Sequence, residues 1–358
     1  MANRRTLITG GAGFIGSKLA RQLLENGDDV LCFDCLHPQV HGVVKPGAQH
    51  ALTGSGAELV IGGVEDFGAL SACVASFAPD VIFHLAAETG TGQSYDEPTR
   101  YNLANVVGTT NLIEAIRKCK QPPKRVVLSS SRSIYGEGAG RQDDGTVSNA
   151  MPRNPADLKR GDFGIKNRKG LPVTPVPTPA WLPPMPASIY ASTKLMQEYL
   201  LQQGLAGTPV ELAILRLQNV YGPGQSLSNP YTGVISIFSQ LVAKGNKLNI
   251  FEDGNIVRDF VYVDDVVRAF VAAGSVDDVP KTPTNIGSGV ETSIRHMAME
   301  VLRLLGRDPA DHYISGDFRI GDVRYAVADI AGSRKALHWT PSTSFADGLQ
   351  RFVEWSKT

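Results

Sequence analysis

Tyr190 and Lys194 stand four apart in YASTK, a spacing that sets both side chains on one face of a helix. The pairing has a chemical use. A phenol with a pKa of about 10 is a poor base at neutral pH, and a neighbouring ammonium favours its phenolate, which could then take a proton from a substrate hydroxyl. A second stretch fits the same task. In SSSRSIYGEG, from Ser129 to Gly138, an uncharged strand ends in three hydroxyls, and Ser131 could reach the same substrate oxygen.

A Tyr/Lys pair on a helix is common by itself; a second constellation near the N-terminus gives it weight. LITGGAGFIGSKLARQLLENG places Gly10, Gly13 and Gly16, with Phe14 and Ile15 between them, where a strand turns into an amphipathic helix. Glycines permit the tight turn and let backbone N–H groups approach a pyrophosphate, which the positive helix N-terminus then holds. Asp34 closes the next strand, VLCFD, where an acid would accept hydrogen bonds from ribose hydroxyls and repel a 2′-phosphate. No arginine follows it, so NAD is expected rather than NADP. The positive nicotinamide would add to the pull of Lys194 on the phenol. Lowering that pKa by ~3 units takes ~4 kcal/mol, within reach of two nearby cations in a partly dry cleft.

The elements that must position these groups alternate. TLITG, VLCFD, AELVIG, DVIFHLAA and RVVLSSS are short apolar strands, separated by helical segments such as Ser17 to Asn26 and Thr99 to Cys119. This predicts an α/β fold, a Rossmann-type doubly wound parallel sheet covered by helices on both faces, with ligands at the carboxyl ends of the strands. From Glu137 to Pro186 the pattern lapses into a polar stretch holding nine of the chain's 22 prolines. Such a long insertion is usually a functional lid or disordered, and here it is expected to close over the substrate. The pattern resumes with the helix SIYASTKLMQEYLLQQ and the strand VELAILRLQNVYG. The expected division is a cofactor-binding domain over residues 1–225, carrying the insertion 137–186, and a smaller α+β substrate domain over 226–358, interleaved with the last sheet elements.

Composition excludes other classes. The 358 residues carry 35 basic and 35 acidic side chains, a formal net charge of zero, so no charge imbalance asks for nucleic acid or an anionic membrane. The N-terminus lacks a signal-peptide core and no apolar run reaches the ~18 residues of a membrane span, so a cytoplasmic location is expected. Cys32, Cys35, Cys73 and Cys119 are too scattered for a disulfide framework. Cys32 and Cys35 form a C-x-x-C with no second pair to complete a zinc site, and read as reduced cysteines at a strand end. His37, His41 and His50 fit no ligand spacing and read as loop residues. No metal is expected.

In TGGAGFIGS, HLAAETG, NVVGTTNLIEA, SSSRSIYGE, YASTK, LRLQNVYGPGQ, RDFVYVDDVVRA and GDVRYAVADI the chain resembles the extended short-chain dehydrogenase/reductases that act as nucleotide-sugar epimerases and dehydratases. The resemblance covers nearly the whole length. It implies Ser131, Tyr190 and Lys194 as the catalytic set. It also implies Leu85, Ala86, Ala87 and Asn105 along the cofactor; Asn219, Arg258 and Arg319 on the substrate diphosphate, with Asp322 nearby; and Glu88, Arg132 and Ser133 beside the sugar. Dehydratases carry Asp and Glu where this chain has Arg132 and Ser133, and an arginine is no general acid at neutral pH, so dehydration is disfavoured. Near the adenine the family often has Gly-Asp; here Gly62 and Gly63 leave Asp66 as the next acid.

Among the epimerases, PQVHG, SSRSIYGEG and LPVTPVPTP resemble the dTDP-L-rhamnose 4-epimerases. Relatives often carry cysteines in the insertion, and this stretch has none. The implied reaction is NAD-dependent inversion at carbon 4 of a dTDP- or UDP-linked deoxyhexose, dTDP-L-rhamnose to dTDP-6-deoxy-L-talose, through a transient 4-keto sugar. The alternatives are a 4-ketoreductase or dehydrogenase with exchangeable cofactor, or a 4-epimerase of another nucleotide sugar. A homodimer is implied through the helices from Thr99 to Cys119 and from Ser188 to Gln203.

Overall fold

The computed structural model describes residues 3–42, 50–227, 229 and 233–357. Seven strands form one parallel sheet: β1 (Arg5–Thr9), β2 (Asp29–Asp34), β3 (Glu58–Ile61), β4 (Val81–His84), β5 (Arg125–Ser131), β6 (Glu211–Leu217) and β7 (Thr284–Ile286), in the order β3-β2-β1-β4-β5-β6-β7. The inner strands are near-continuous apolar runs because both faces are covered, whereas the edge strand β3 is largely exposed. Side chains alternate across the sheet. Leu7, Leu31, Phe33, Ile82, Val126 and Leu128 pack with Leu70, Leu112, Ile116 and Leu201 of the helices Phe67–Phe77, Gly108–Lys118 and Ile189–Gly204. Ile8, Cys32, Phe83, Val127 and Leu215 pack on the other face with Leu19 and Phe270 of Phe14–Glu25 and Val263–Ser275. The doubly wound sheet is the expected fold.

The strand order reverses between β1 and β4, so the loops leaving those two strands part and open a crevice. They start in contact. A Cβ on Gly10, whose φ is +73°, would lie 2.7 Å from the Ala86 backbone nitrogen. The strand ends Thr9, Asp34, His84 and Ser131 all fall along this edge.

The smaller lobe gathers Val234–Ala243, Ile294–Leu304 and Phe345–Ser356 around Phe238, Ile250, Met297 and Phe352. β7 returns from this part of the chain to the main sheet. Residues 137–186 are ordered: Ala139–Arg141 pairs antiparallel with both Val147–Asn149 and Thr174–Val176, over a core of Ile134, Tyr135, Ala139, Val176 and Leu182. No helix among the described residues is long and apolar enough to cross a membrane. Cys32 is buried beneath Gly11 and Cys35 is exposed, both as free thiols.

Candidate active site

A cleft of about 790 Å³ runs along the carboxyl edge of the sheet. One end is made by the glycine turn. A Cβ on Gly16 would collide with the Gly10 carbonyl oxygen, so the helix starts against the turn only because no side chain stands there. No side chain caps that helix and no acid stands in its first turn, which leaves backbone N–H groups and the positive dipole end for an anion. Asp34 is buried at the same end, its carboxylate accepting from Ala12 N at 3.0 Å and Leu36 N at 2.8 Å. A dinucleotide fits this cradle. Gly10, Gly13, Phe14, Ile15, Gly16, Asp34, Leu85, Ala86 and Ala87 all line the cleft.

Two expectations at this end are corrected. Asp66 does not line the cleft; it caps the helix Phe67–Phe77, accepting from Ala69 N at 3.0 Å, and Glu65 is the acid in the wall. His41 is no plain loop residue. It ends a short helix, Pro38–His41, with Nε2 3.6 Å from Asp34 Oδ1 in the cleft wall.

In the middle of the cleft Ser131, Tyr190 and Lys194 come together. Ser188 caps the helix Ile189–Gly204 by accepting from Ala191 N, which sets the register that aims Tyr190 and Lys194 at the end of β5. Burial raises the Tyr190 phenol above its usual range, and the nearby Ser131 hydroxyl opposes that rise. Lys194 is 3% exposed and donates to Ser129 O at 2.6 Å and Gln197 Oε1 at 2.5 Å. Burial pulls its ammonium down to about 7, against the opposing charge of Glu198. These residues alone therefore hold the phenol neutral, whereas the lowered pKa is expected from Lys194 together with a bound nicotinamide. A further positive charge in the cleft is needed to make it a base.

At the far end stand Glu88, Arg132, Ser133, Asn219, Arg258 and Asp322. Arg132 is pulled down to about 10 by burial and by the charge of Arg258. Two guanidiniums held this close, with Arg132 donating to Gly136 O at 2.7 Å and Arg258 to Val323 O at 2.9 Å, form a site for an anion. Ser133 Oγ and Gln218 Oε1, both in the cleft wall, are buried with no partner among the described residues, as groups kept for a ligand would be.

Two expected site residues are not in the wall. Asn105 is fully buried on the π-helical turn Asn102–Val107, where it accepts from Glu88 N at 2.8 Å and donates to Glu88 O at 3.1 Å and Thr193 Oγ1 at 2.9 Å. It braces the loop after β4 from behind. Arg319 is exposed and lies over the Phe251 ring, 4.9 Å from its centroid, outside the cleft.

The insertion is not a lid in this structure: no residue from 137 to 186 lines the cleft. It buttresses the far wall instead. Arg153, 3% exposed, donates to Glu137 Oε1 at 2.9 Å, Glu252 Oε1 at 2.7 Å and the Asp322 carbonyl at 2.6 Å. Every guanidinium nitrogen thus has a partner, and the segment bearing Asp322 is pinned beside Arg258.

The sequence reading missed a buried polar layer under the catalytic trio: His84, Thr109, Gln197, Glu198 and Arg216, each at most 5% exposed. Its signal was present. Gln197 and Glu198 fall three and four positions after Lys194, on the helix face that packs against the sheet, where polar residues need partners.

A family model described as "NAD dependent epimerase/dehydratase family" matches residues 6–156 and 172–287. The chain is 42% identical to a dTDP-L-rhamnose 4-epimerase of Burkholderia thailandensis over 98% of this chain and 94% of that protein. It is 33% identical to a UDP-glucose 4-epimerase of Mycolicibacterium smegmatis over 98% of each. Its fold matches the crystal structure of a Thermotoga maritima UDP-glucose 4-epimerase with UDP-glucose, with a TM-score of 0.80 and 29% identity, over 99% of this chain and 98% of that one.

Proposed function

This chain belongs to the NAD-dependent epimerase/dehydratase family and is a nucleotide-sugar 4-epimerase that uses NAD; from that premise we propose that it interconverts dTDP-L-rhamnose and dTDP-6-deoxy-L-talose. The observation that carries the substrate is the 42% identity, over nearly the whole of both chains, with a dTDP-L-rhamnose 4-epimerase.

In this reading Tyr190 takes the proton of the carbon-4 hydroxyl while Ser131 hydrogen-bonds the same oxygen, and carbon 4 becomes a ketone. Held by the glycine turn and Asp34, NAD would supply the positive charge beside the phenol and the acceptor and donor for the carbon-4 hydride. The keto sugar turns over between the two transfers, and Tyr190 then returns the proton to the alcohol of inverted configuration. Arg132 and Arg258 hold the diphosphate, so that only the sugar moves; binding energy far from carbon 4 is spent on that geometry. Asn219, Asp322, Glu88 and Ser133 complete the substrate wall. Residues 1–225 supply most of the cofactor site and 226–358 most of the substrate lobe.

The test is a panel of dTDP-L-rhamnose, UDP-glucose and UDP-glucuronate, with carbon-4 epimers resolved by NMR. Turnover of dTDP-L-rhamnose well above the others is expected. Preference for a UDP sugar would overturn the substrate, and net oxidation with NADH released would replace the epimerase by a dehydrogenase.

We further propose a homodimer. Leu103 and Val107 on one helix and Met196 and Tyr199 on its neighbour are 45, 39, 44 and 43% exposed, an apolar face suited to a second copy. Sedimentation at micromolar concentration is expected to give a dimer, and a monomer alone would refute it.

A further inference from the structure

We infer that Gln197 is a positioning residue for the reaction, one that holds the Lys194 ammonium in its protonated form, and that Thr109, bonded to the Asn105 carbonyl, orients its amide. The inference rests on the catalytic reading of Tyr190 and Lys194 and reaches one layer beneath them.

The Thr109 hydroxyl has a single proton, and its Oγ1 lies 2.6 Å from the Asn105 carbonyl, which can only accept. Thr109 Oγ1 must then accept from its two nitrogen neighbours, Gln197 Nε2 at 2.9 Å and His84 Nε2 at 3.0 Å. The hydrogen-bond count puts the proton of His84 on Nε2, and burial and the Lys194 charge, which pull its pKa down to about 3, keep the ring neutral. Its Nδ1 is left to accept the Thr9 hydroxyl at 2.7 Å. The 3.4 Å approach of Gln197 Nε2 to His84 Nε2 is then between two donors and is no hydrogen bond.

With its NH2 group committed to Thr109, Gln197 presents its carbonyl oxygen to Lys194 at 2.5 Å. A flipped amide would set N–H against the ammonium and oxygen against a hydroxyl whose proton is already given away. Lys194 thus spends one N–H on Gln197 and one on Ser129 O, and its third remains for the cleft. The orientation is imposed by Thr109 on the helix Gly108–Lys118 and by the Asn105 carbonyl on the turn before it.

No other group takes this role. The ionisable groups around Lys194 are Tyr190 and Glu198 on its own helix, His84 from β4 and Arg216 from β6. Tyr101 meets Tyr190 ring to ring at 6.4 Å, and Arg132 follows β5. Glu198 is engaged by Ser130 at 2.5 Å and by Arg216 at 2.7 and 3.0 Å. The two neutral oxygens of Gln197 and Ser129 are the direct acceptors of the ammonium among the described residues. Only the first can be changed by substitution.

The variants are Gln197→Leu and Gln197→Glu, read by the pH dependence of kcat for epimerisation. Activity falls at high pH as Lys194 loses its proton. Removing the acceptor favours neutral lysine, so Gln197→Leu is expected to move the alkaline limb down by about one pH unit, the size of a charge-assisted hydrogen bond. A carboxylate favours the ammonium, so Gln197→Glu is expected to move it up by about as much. A role in packing alone would scale kcat and leave both limbs in place, and that result overturns the inference. Should Gln197→Leu not fold, the upward shift in Gln197→Glu decides alone, and its absence is equally fatal. Tyr190→Phe separates the two levels. If it keeps turnover, the catalytic reading falls; if it loses turnover while both Gln197 variants keep the parent limb, only the inference about Gln197 falls.

Discussion

Tyr190→Phe is expected to fold and to bind NAD as the parent chain does, yet to epimerise ~10²- to 10⁴-fold more slowly, the usual cost of removing one positioned acid/base group. Stability is spared because the ring carries the packing: the edge-to-face contact with Tyr101, at 6.4 Å and 79°, needs no hydroxyl. What disappears is the phenol oxygen that stands with Ser131 in the cleft. Lys194 cannot take over, since burial and its bonds to Ser129 and Gln197 hold it behind the tyrosine. Initial rates by NMR, beside thermal melting and the NAD content of the purified protein, check all three parts. A rate near that of the parent would remove Tyr190 from the mechanism, and a collapse in melting temperature would make the loss of rate uninformative.

The largest effect on stability is expected at Arg216. Its guanidinium grips Glu198 by two bonds of 2.7 and 3.0 Å and also donates to Tyr135 Oη at 2.7 Å and Ala180 O at 3.0 Å. Arg216 and Glu198 are 5% and 1% exposed. Removing one partner leaves an uncompensated charge away from water, so Arg216→Met is expected to cost about 3–5 kcal/mol in urea unfolding. Replacing both, as Glu198→Leu with Arg216→Met, should recover much of that loss, because the burial penalty of both charges goes with them. The helical pair of exposed Arg303 and half-buried Glu300 is the control. Breaking it by Arg303→Ala should change stability by no more than about 1 kcal/mol. An Arg216→Met variant as stable as that control would mean that water reaches Glu198.

Several site residues were legible in the sequence because their geometry is local. The glycine turn, Asp34 at the end of the next strand, and Tyr190 one helical turn before Lys194 are set by covalent spacing and by the periods of strand and helix. The parallel sheet was legible for a similar reason: strands covered on both faces must be apolar throughout, as VLCF and VIF are. A net charge of zero likewise leaves any anionic ligand to a local pocket rather than to a basic surface.

What only the tertiary structure decided is which polar groups already have partners. A motif placed Asn105 and Arg319 in the site, but Asn105 spends its amide on Glu88 and Thr193, and Arg319 turns out over Phe251. Composition made the proline-rich insertion a lid, yet its Arg153 is consumed by Glu137, Glu252 and the Asp322 carbonyl, which fixes it as a support. Gln197 meets Thr109 across 88 positions of chain, and no local pattern encodes such a pairing. The sequence period tells which face a side chain occupies, and so whether it is buried. A buried polar group must find a partner or lose several kcal/mol, and which partner it finds depends on elements brought together from opposite ends of the chain. That choice separates the groups held free for a ligand, here Tyr190, Ser133 and the third proton of Lys194, from those spent on the fold.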